Sequence, residues 1–230
     1  MITFKAIGVL LDYPSAEMLA SLGEIEAALN GERALDENRL VGVRAFIRQM
    51  EKGELLDLQE RWINLFDRSK RLALYFYEHS HGESRDRGQA MVNLAMTYRM
   101  NGFELAAAEM PDYLPLFLEF LSIVPEVHAR RYLGDAVEIL EALRIRLEER
   151  ESIYAALLSA LVSLVRRDVD EDEVAAILAG EPEDPKDLDE LDAQWAEEPI
   201  DFTAGSALRD CPYAGGQMRQ RAAELARAGA

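Results

Sequence analysis

The stretch "SIYAALLSALVSLVRR", Ser152 to Arg167, decides the fold class. Its apolar side chains fall on most faces of a helix, at Tyr154, Leu157, Leu158, Leu161, Leu164 and Val165. A helix that is apolar on most sides is one that other helices surround. We therefore predict that this stretch forms the central buried helix.

The segments on either side of this stretch also carry apolar residues at helical spacing. Upstream, "EVHARRYLGDAVEILEALRIRLEE" predicts one long helix with Val137, Leu140, Leu143 and Leu147 on one face. Downstream, Val174, Ile177 and Leu178 predict a short last helix that stops at Gly180.

Six more helices are predicted toward the N-terminus. They are a core helix at the start, one capped by Ser15 and ending near Gly31, one after Asp36, one from Leu55 to Phe66, one from Met91 closed by Gly102, and one from Pro111 to Pro125. The segment "LALYFYE" alternates weakly but is too isolated to build a sheet. The sequence thus predicts an all-α, compact single-domain bundle of about nine helices.

The composition changes after Gly180. Fifteen acidic residues between Asp168 and Asp201 are opposed only by Lys186, so this stretch carries −14 of the formal net charge of −18. Directly after Gly180, residues 181–202 contain three prolines and few apolar residues. We predict a helical domain over residues 1–180 and an acidic, mostly extended and partly disordered tail over 181–230.

Charge and cysteine content narrow the functional classes. The strong negative charge argues against binding to nucleic acid or to an anionic membrane surface. No run approaches the roughly 20 apolar residues of a membrane span, and the N-terminus lacks a signal-peptide pattern. The single cysteine, Cys211, allows no intrachain disulfide and no cysteine cage for a metal. We expect a soluble, cytoplasmic protein without a bound cofactor.

The stretch "EHSHGESRDRGQAM", Glu78 to Met91, is the one candidate for a metal site. His79 and His81 alternate, as two ligands of one metal can, but a site needs a third or fourth ligand and His128 is distant in sequence. A metal site is therefore disfavoured here, because too few ligands are available. The standard hydrolase, phosphate-loop and zinc-protease motifs are also missing, so an enzyme is disfavoured.

The same stretch is better interpreted as the start of a helix. Gly82 turns the chain, Ser84 caps a helix, and Asp86 lies in its first turn, where negative charge is favoured. Arg85 and Arg87 are badly placed for the helix dipole. We expect them to hold acidic groups of the neighbouring helices.

Two aromatic stretches have two open interpretations. "RWINLF", Arg61 to Phe66, and "EMPDYLPLFLEF", Glu109 to Phe120, resemble ordinary core helices. An acidic rim beside an apolar helical surface is also the chemistry that binds a basic, hydrophobic helical peptide.

The span from about Leu56 to Leu121 resembles the nitrate reductase molybdenum cofactor assembly chaperones of the NarJ type, within the TorD/DmsD-like redox-enzyme maturation proteins. The resemblance rests on the block "LFDRSKRLALYFYEHSHGESRDRGQAMVNLAMTYRMNGFE" followed by "EMPDYLPLFLEFL". Trp62, Leu65 and Phe66 match the family's aromatic-x-x-Leu-Phe motif. "LLDYP" and "EEPIDF" also look like NarJ-type features. In the Glu-x-Pro-x-Asp-His-like motif, Tyr113 stands where many relatives carry histidine, which removes a titratable imidazole.

The resemblance implies an all-helical cytoplasmic chaperone and not an enzyme. Such proteins bind the N-terminal segment of the nitrate reductase alpha subunit and keep it competent for insertion of the molybdenum cofactor and iron–sulfur clusters before membrane docking. Molybdenum cofactor biosynthesis proteins are further candidate partners. The alternatives are a metal-dependent enzyme or regulator using His79 and His81, or a helical adaptor for another partner.

We predict two groups of site residues from these motifs. The residues expected to bind the client peptide are Trp62, Phe66, Tyr75, Tyr77, Glu109, Asp112, Tyr113, Phe117 and Glu119. The residues expected to support the groove are His79, Arg85, Arg87 and Pro111.

Overall fold

The computed structural model describes residues 1–81, 85–105 and 109–180. These residues form twelve α-helices: α1 (Ile2–Leu11), α2 (Ala16–Ala20), α3 (Leu22–Glu32), α4 (Glu37–Lys52), α5 (Leu55–Trp62), α6 (Phe76–His81), α7 (Arg85–Met100), α8 (Leu114–Ile123), α9 (Glu126–Gly134), α10 (Val137–Glu149), α11 (Ala155–Ser163) and α12 (Glu171–Gly180). A π-helix, Ile63–Asp67, and a 3-10 helix, Lys70–Leu72, complete the described helices. The prediction of an all-α fold is confirmed.

The predicted tail lies outside the described residues. Its extended character, and the domain boundary at residue 180, therefore stay predictions. Within the part of the chain that is described, no helix is both long enough and apolar enough to cross a membrane.

The central helix of the bundle is α11, as the sequence predicts. It packs against α10, α4 and α1. Tyr154 at its N-terminus is buried, with its ring 4.9 Å from Phe46 and 5.0 Å from Phe66 in edge-to-face contacts. The helix is shorter than the apolar stretch and ends at Ser163.

Side-chain caps fix the starts of two early helices. Ser15 Oγ accepts a hydrogen bond from the Met18 backbone N–H at 3.1 Å, which begins α2. Asp36 Oδ1 accepts from the Arg39 N–H at 2.9 Å, which begins α4. Caps of this kind stabilise a helix by about 1 kcal/mol each. Both starts were predicted from the sequence.

The described residues contain twelve α-helices, whereas the sequence predicts about nine. The helix predicted from Ser15 to Gly31 breaks at Ser21, whose Oγ donates to the Glu17 carbonyl at 2.9 Å. The long segment before the central helix divides into α9 and α10. Its break follows Gly134, whose carbonyl accepts from Arg167 Nε at 3.0 Å instead of continuing the helical ladder. The third addition is α6, in the segment that alternates weakly.

The helix predicted to begin at Pro111 begins instead at Leu114. Pro111 lies in the preceding turn, where its carbonyl accepts from the Tyr98 hydroxyl at 2.6 Å. Tyr113 has an extended backbone because it forms an isolated antiparallel bridge with Tyr75. Pro115 takes the first-turn position that suits proline.

Candidate functional site: a groove between α1 and α8

A short antiparallel pairing joins the two sequence blocks that carry the family resemblance. The Phe76 N–H donates to the Asp112 carbonyl at 3.1 Å, and the Leu114 N–H donates to the Leu74 carbonyl at 2.8 Å. Between these bonds, the rings of Tyr75 and Tyr113 lie 5.3 Å apart. The pairing therefore fixes where "EMPDY" meets "LALYFYE" and orients the start of α8.

Tyr113 links this pairing to the N-terminal helix. Its hydroxyl donates to Asp12 Oδ1 at 2.8 Å, across 101 residues of sequence. Burial and the Asp12 carboxylate both raise the pKa of the Tyr113 phenol above its ordinary value. Tyr113 is therefore a neutral donor at physiological pH, and Asp12 is held at the C-terminal end of α1.

The "RWINLF" motif contacts the same end of α1. Trp62 Nε1 donates to the Leu11 carbonyl at 2.8 Å, and its ring meets Tyr13 edge-to-face at 5.4 Å. Directly after Trp62 the helix widens into the π-helix Ile63–Asp67, closed by the bond from the Arg68 N–H to the Ile63 carbonyl. The "LLDYP" segment thus connects both motifs.

We name the depression beside this junction the α1–α8 groove. It has a volume of about 340 Å³ and is lined by Lys5, Gly8, Val9, Asp12, Glu109, Tyr113, Pro115, Leu116 and Glu119. A side chain at Gly8 would meet the Pro115 carbonyl oxygen at 3.1 Å and Leu118 Cβ at 3.2 Å. Glycine at this position therefore lets α1 and α8 pack closely, with an apolar floor between them.

The rim of the α1–α8 groove is acidic. Three carboxylates line it, from Asp12, Glu109 and Glu119, and the one basic residue among its described lining residues is Lys5. Lys5 Nζ lies 3.4 Å from Glu119 Oε1, with both side chains about half exposed. An exposed pair of this kind is worth about 0–1 kcal/mol, so a cationic ligand can displace Lys5 at small cost.

A buried charge cluster lies behind the groove. Arg87 Nη2 donates to Glu78 Oε1 at 3.0 Å and lies 3.7 Å from Asp112 Oδ2. Asp112 is fully buried, and neither of its carboxylate oxygens accepts a hydrogen bond of good geometry from the described residues. Burial raises the pKa of the Asp112 carboxyl above its ordinary value, although Arg87 acts in the opposite direction.

Comparison with known proteins identifies the family. The family model described as "Nitrate reductase delta subunit" matches residues 16–160. The chain is 37% identical to the nitrate reductase molybdenum cofactor assembly chaperone NarJ of Escherichia coli K12, over 95% of this chain and 92% of NarJ. It is 38% identical to a second Escherichia coli K12 protein, named "Probable nitrate reductase molybdenum cofactor assembly chaperone NarW". That match covers 88% of this chain and 84% of NarW.

The chain belongs to the nitrate reductase delta subunit family. A crystal structure of a candidate redox enzyme maturation protein from Archaeoglobus fulgidus shares the fold, with a TM-score of 0.52 and 23% identity over 71% of this chain and 92% of that one. The delta subunit relatives are named as assembly chaperones. The prediction of a chaperone rather than an enzyme is therefore confirmed.

Within this delta subunit family member, some of the predicted client-binding residues lie at or near the α1–α8 groove. Glu109, Tyr113 and Glu119 line the α1–α8 groove, and Tyr75 stacks beside Tyr113. Trp62 is half-buried against Leu11 at the end of α1.

Three other predicted client-binding residues are buried. Phe66 packs against Tyr154 in the core, Asp112 belongs to the buried charge cluster, and Phe117 contacts the ring of Phe76 at 5.1 Å. Phe117 and the half-buried Tyr77 line a different cavity of about 360 Å³, between α6, α7, α8 and α10. Client binding by the predicted set stays a prediction, and the structure brings only part of that set to one surface.

The residues predicted to support the groove have defined contacts where the structure describes them. His79 is buried, with Nε2 2.8 Å from the Ala73 carbonyl oxygen, and Arg87 contacts acidic groups on α6 and before α8. Pro111 holds the Tyr98 hydroxyl through its carbonyl. The side chains of His81 and Arg85 lie outside the described residues, as does the predicted cap at Ser84. Across the described parts of the chain, no group of three or more histidines, cysteines or acids is placed to hold a metal ion.

Sequence analysis missed the contribution of α1 to the groove. Lys5, Gly8, Val9 and Asp12 line it, but none was predicted as a site residue. The available signal was the "LLDYP" segment, which marked the resemblance without receiving a role. The pairing of Asp12 with Tyr113 depends on the tertiary fold and leaves no local pattern in the sequence.

Proposed function

We propose that this chaperone binds the N-terminal segment of the apo nitrate reductase alpha subunit as a basic, amphipathic helix in the α1–α8 groove. The observation that carries this proposal is the apolar floor of the groove, Val9, Pro115 and Leu116, beside carboxylates of opposite charge to such a helix. Helix-in-groove recognition uses apolar anchors for affinity, and charge–charge contacts set the orientation.

The size of the groove suits moderate affinity. Each apolar anchor of about 100 Å² contributes about 2.5 kcal/mol when it leaves water. Ordering a flexible segment into a helix cancels about 2–5 kcal/mol of the gross interaction. A few anchors therefore give a complex that forms and also releases, which a chaperone needs.

The carboxylates of the groove supply direction and selectivity. Asp12 is positioned by Tyr113, and Glu119 is held by Lys5 only through an exposed ion pair. An arginine of the client forms bidentate contacts with such carboxylates, at a strength that ordinary neutral hydrogen bonds do not reach. A client arginine would replace Lys5 at Glu119.

In the cell, we propose that binding keeps the apo-subunit competent for insertion of the molybdenum cofactor and iron–sulfur clusters, and delays its membrane docking. We also propose that the chaperone acts in the cytoplasm, with molybdenum cofactor biosynthesis proteins as further partners. The family membership and the names of the relatives support the molybdenum cofactor part of this role. A pull-down from nitrate-respiring cells should capture the alpha subunit in its cofactor-free state.

Calorimetry with a synthetic peptide of the client N-terminus tests the groove. We expect Asp12→Asn with Glu109→Gln to weaken binding about tenfold or more, because two charge-assisted contacts are lost. The control, Glu51→Gln with Glu149→Gln, removes the same charge from exposed positions elsewhere and should change affinity less than about twofold.

Two results would contradict this site. If both pairs of substitutions weakened peptide binding equally, the loss of affinity would come from the overall charge of the protein and not from the groove. Unchanged binding in the Asp12 and Glu109 variant would move the client to another surface. Substitutions at Phe66 or Asp112 are unsuitable for this test because both side chains are buried.

A further inference from the structure

A second groove, which we name the arginine groove, lies between α9 and the segment that follows α11. It has a volume of about 520 Å³ and is lined by Glu126, Val127, Arg130, Arg131, Gly134, Asp135, Val165, Arg166 and Arg167. Four arginines and two acids give it a positive balance, in a chain whose formal net charge is −18. It shares no lining residue with the α1–α8 groove.

Two of the four arginines are fixed in place by the fold. Arg130 donates from Nε to Glu126 Oε1 at 2.8 Å and from Nη1 to the Leu164 carbonyl. Arg167 donates from Nε and Nη2 to the Gly134 carbonyl, at 3.0 and 2.8 Å, and from Nη2 to Glu138 Oε2 at 2.6 Å. These bonds hold both guanidinium groups at the walls of the groove. A ligand that binds them therefore does not have to restrict freely rotating arginine side chains.

The other two arginines keep donors available for a ligand. The side chain of Arg166 is 76% exposed, and its contact with Glu126 is 3.8 Å long, beyond hydrogen-bond distance. Arg131 is exposed, with its guanidinium 5.1 Å from the centroid of the Tyr132 ring. Neither contact satisfies the guanidinium N–H groups as a carboxylate or phosphate would.

We propose that the arginine groove binds an organic diphosphate. Guanidinium forks match phosphate oxygens in bidentate geometry, and four of them around one volume favour a ligand with several negative charges. The volume falls within the range of small-molecule sites, and Val127 and Val165 provide apolar surface for the organic part.

A compact anion fits this groove better than an acidic peptide. All four arginines come from two short stretches, the nine-residue helix α9 and residues 165–167. A helix of that length spans about 13 Å, so the positive charge is concentrated and does not follow an extended chain. This site is independent of the proposed client groove, so a test can contradict one of the two proposals and leave the other standing.

Calorimetry on the full-length protein with inorganic pyrophosphate and with ADP tests the proposal. We expect both to bind, and Arg131→Gln with Arg166→Gln to weaken them about tenfold or more. These arginines are exposed, so the fold should be kept, which circular dichroism checks. The control, Arg48→Gln with Arg99→Gln, removes the same charge from exposed positions outside the groove and should change affinity less than about twofold.

Further measurements separate the sources of binding. ADP should bind more tightly than pyrophosphate, because its organic part reaches the valines. Glu126→Gln should strengthen binding of both, since it removes a competing carboxylate while the bond from Arg130 Nη1 to the Leu164 carbonyl still holds that arginine. The proposal is overturned if neither anion binds, if the control pair weakens binding as much, or if an oligoglutamate peptide binds more tightly than ADP at the same arginines.

Discussion

Asp112 is a residue whose chemistry depends on the elements packed around it. It lies in the turn before α8, with no exposed surface, and its backbone carbonyl completes the pairing with Phe76. Its carboxylate has Arg87 at 3.7 Å as the basic partner and Glu78 as an acidic neighbour. The side chain thus couples α6, α7 and α8 behind the groove. An ionised carboxylate without good hydrogen bonds is costly in such a site.

The raised pKa of Asp112 predicts a pH-dependent contribution to stability. Because its pKa is higher folded than unfolded, its stabilising contribution is complete below the unfolded pKa and is lost as pH rises through the folded pKa. Lowering the pH from neutral toward the ordinary carboxyl pKa of about 4 should therefore stabilise the natural chain relative to Asp112→Asn. Urea unfolding at several pH values measures this. A shift in the opposite direction would mean that Arg87 depresses the pKa and burial does not dominate.

At the scale of elements, apolar spacing and caps predicted most helices, but long-range contacts determined where several of them end. Ser15 and Asp36 carry their information locally, since each caps its own helix. The break between α9 and α10 depends on Arg167, 33 residues away from Gly134. In the site, the motif "EMPDY" correctly indicated that Glu109 and Tyr113 lie at the groove. The sequence could not show that Phe66 and Phe117 are buried, because apolar residues of a core and of a binding surface have the same helical spacing.

The approach of α1 to α8 depends on Gly8, which gives a prediction at the level of helix packing. Gly8→Ala should lower the free energy of unfolding by about 1–2 kcal/mol, because its Cβ would press on the Pro115 carbonyl. It should also weaken client binding by changing the groove floor. Gly31→Ala is the control, since no heavy atom lies within 4 Å of its added Cβ and alanine favours a helix. Chemical denaturation would contradict the packing argument if both variants were equally stable.

A second element-level prediction concerns the attachment of α12 to the bundle. Arg146 on α10 is buried and donates to the carbonyls of Arg71 and Ile177, at 2.7 and 2.8 Å. Arg146→Met should lower the free energy of unfolding by about 2–3 kcal/mol and accelerate hydrogen exchange in α12, because these charge-assisted bonds are lost. Arg144→Met, on the same helix, breaks only ion pairs with Glu141 and Glu148 of α10 itself and should leave hydrogen exchange in α12 nearly unchanged. If hydrogen exchange in α12 were similar in both variants, apolar contacts and not the Arg146 hydrogen bonds would hold α12 on the bundle.

At the scale of the whole molecule, two groups of acids have different expected effects on a basic client. If the client binds as proposed, the groove carboxylates should contact the bound segment and act mainly on its dissociation. The acids between Glu181 and Asp201 should instead supply a long-range field that steers its approach. Such a field is screened over about 8 Å at physiological salt.

Stopped-flow kinetics with the client peptide separates these two effects. Replacing the ten acids between Glu181 and Asp201 by their amides in the full chain should slow association several-fold at low salt and leave dissociation nearly unchanged. Asp12→Asn with Glu109→Gln should do the reverse, because contacts made only in the complex control its lifetime. Raising salt to physiological levels should remove most of the difference in association rate. If the amide replacements accelerated dissociation instead, the acidic stretch would act as part of the binding site and not as a steering charge.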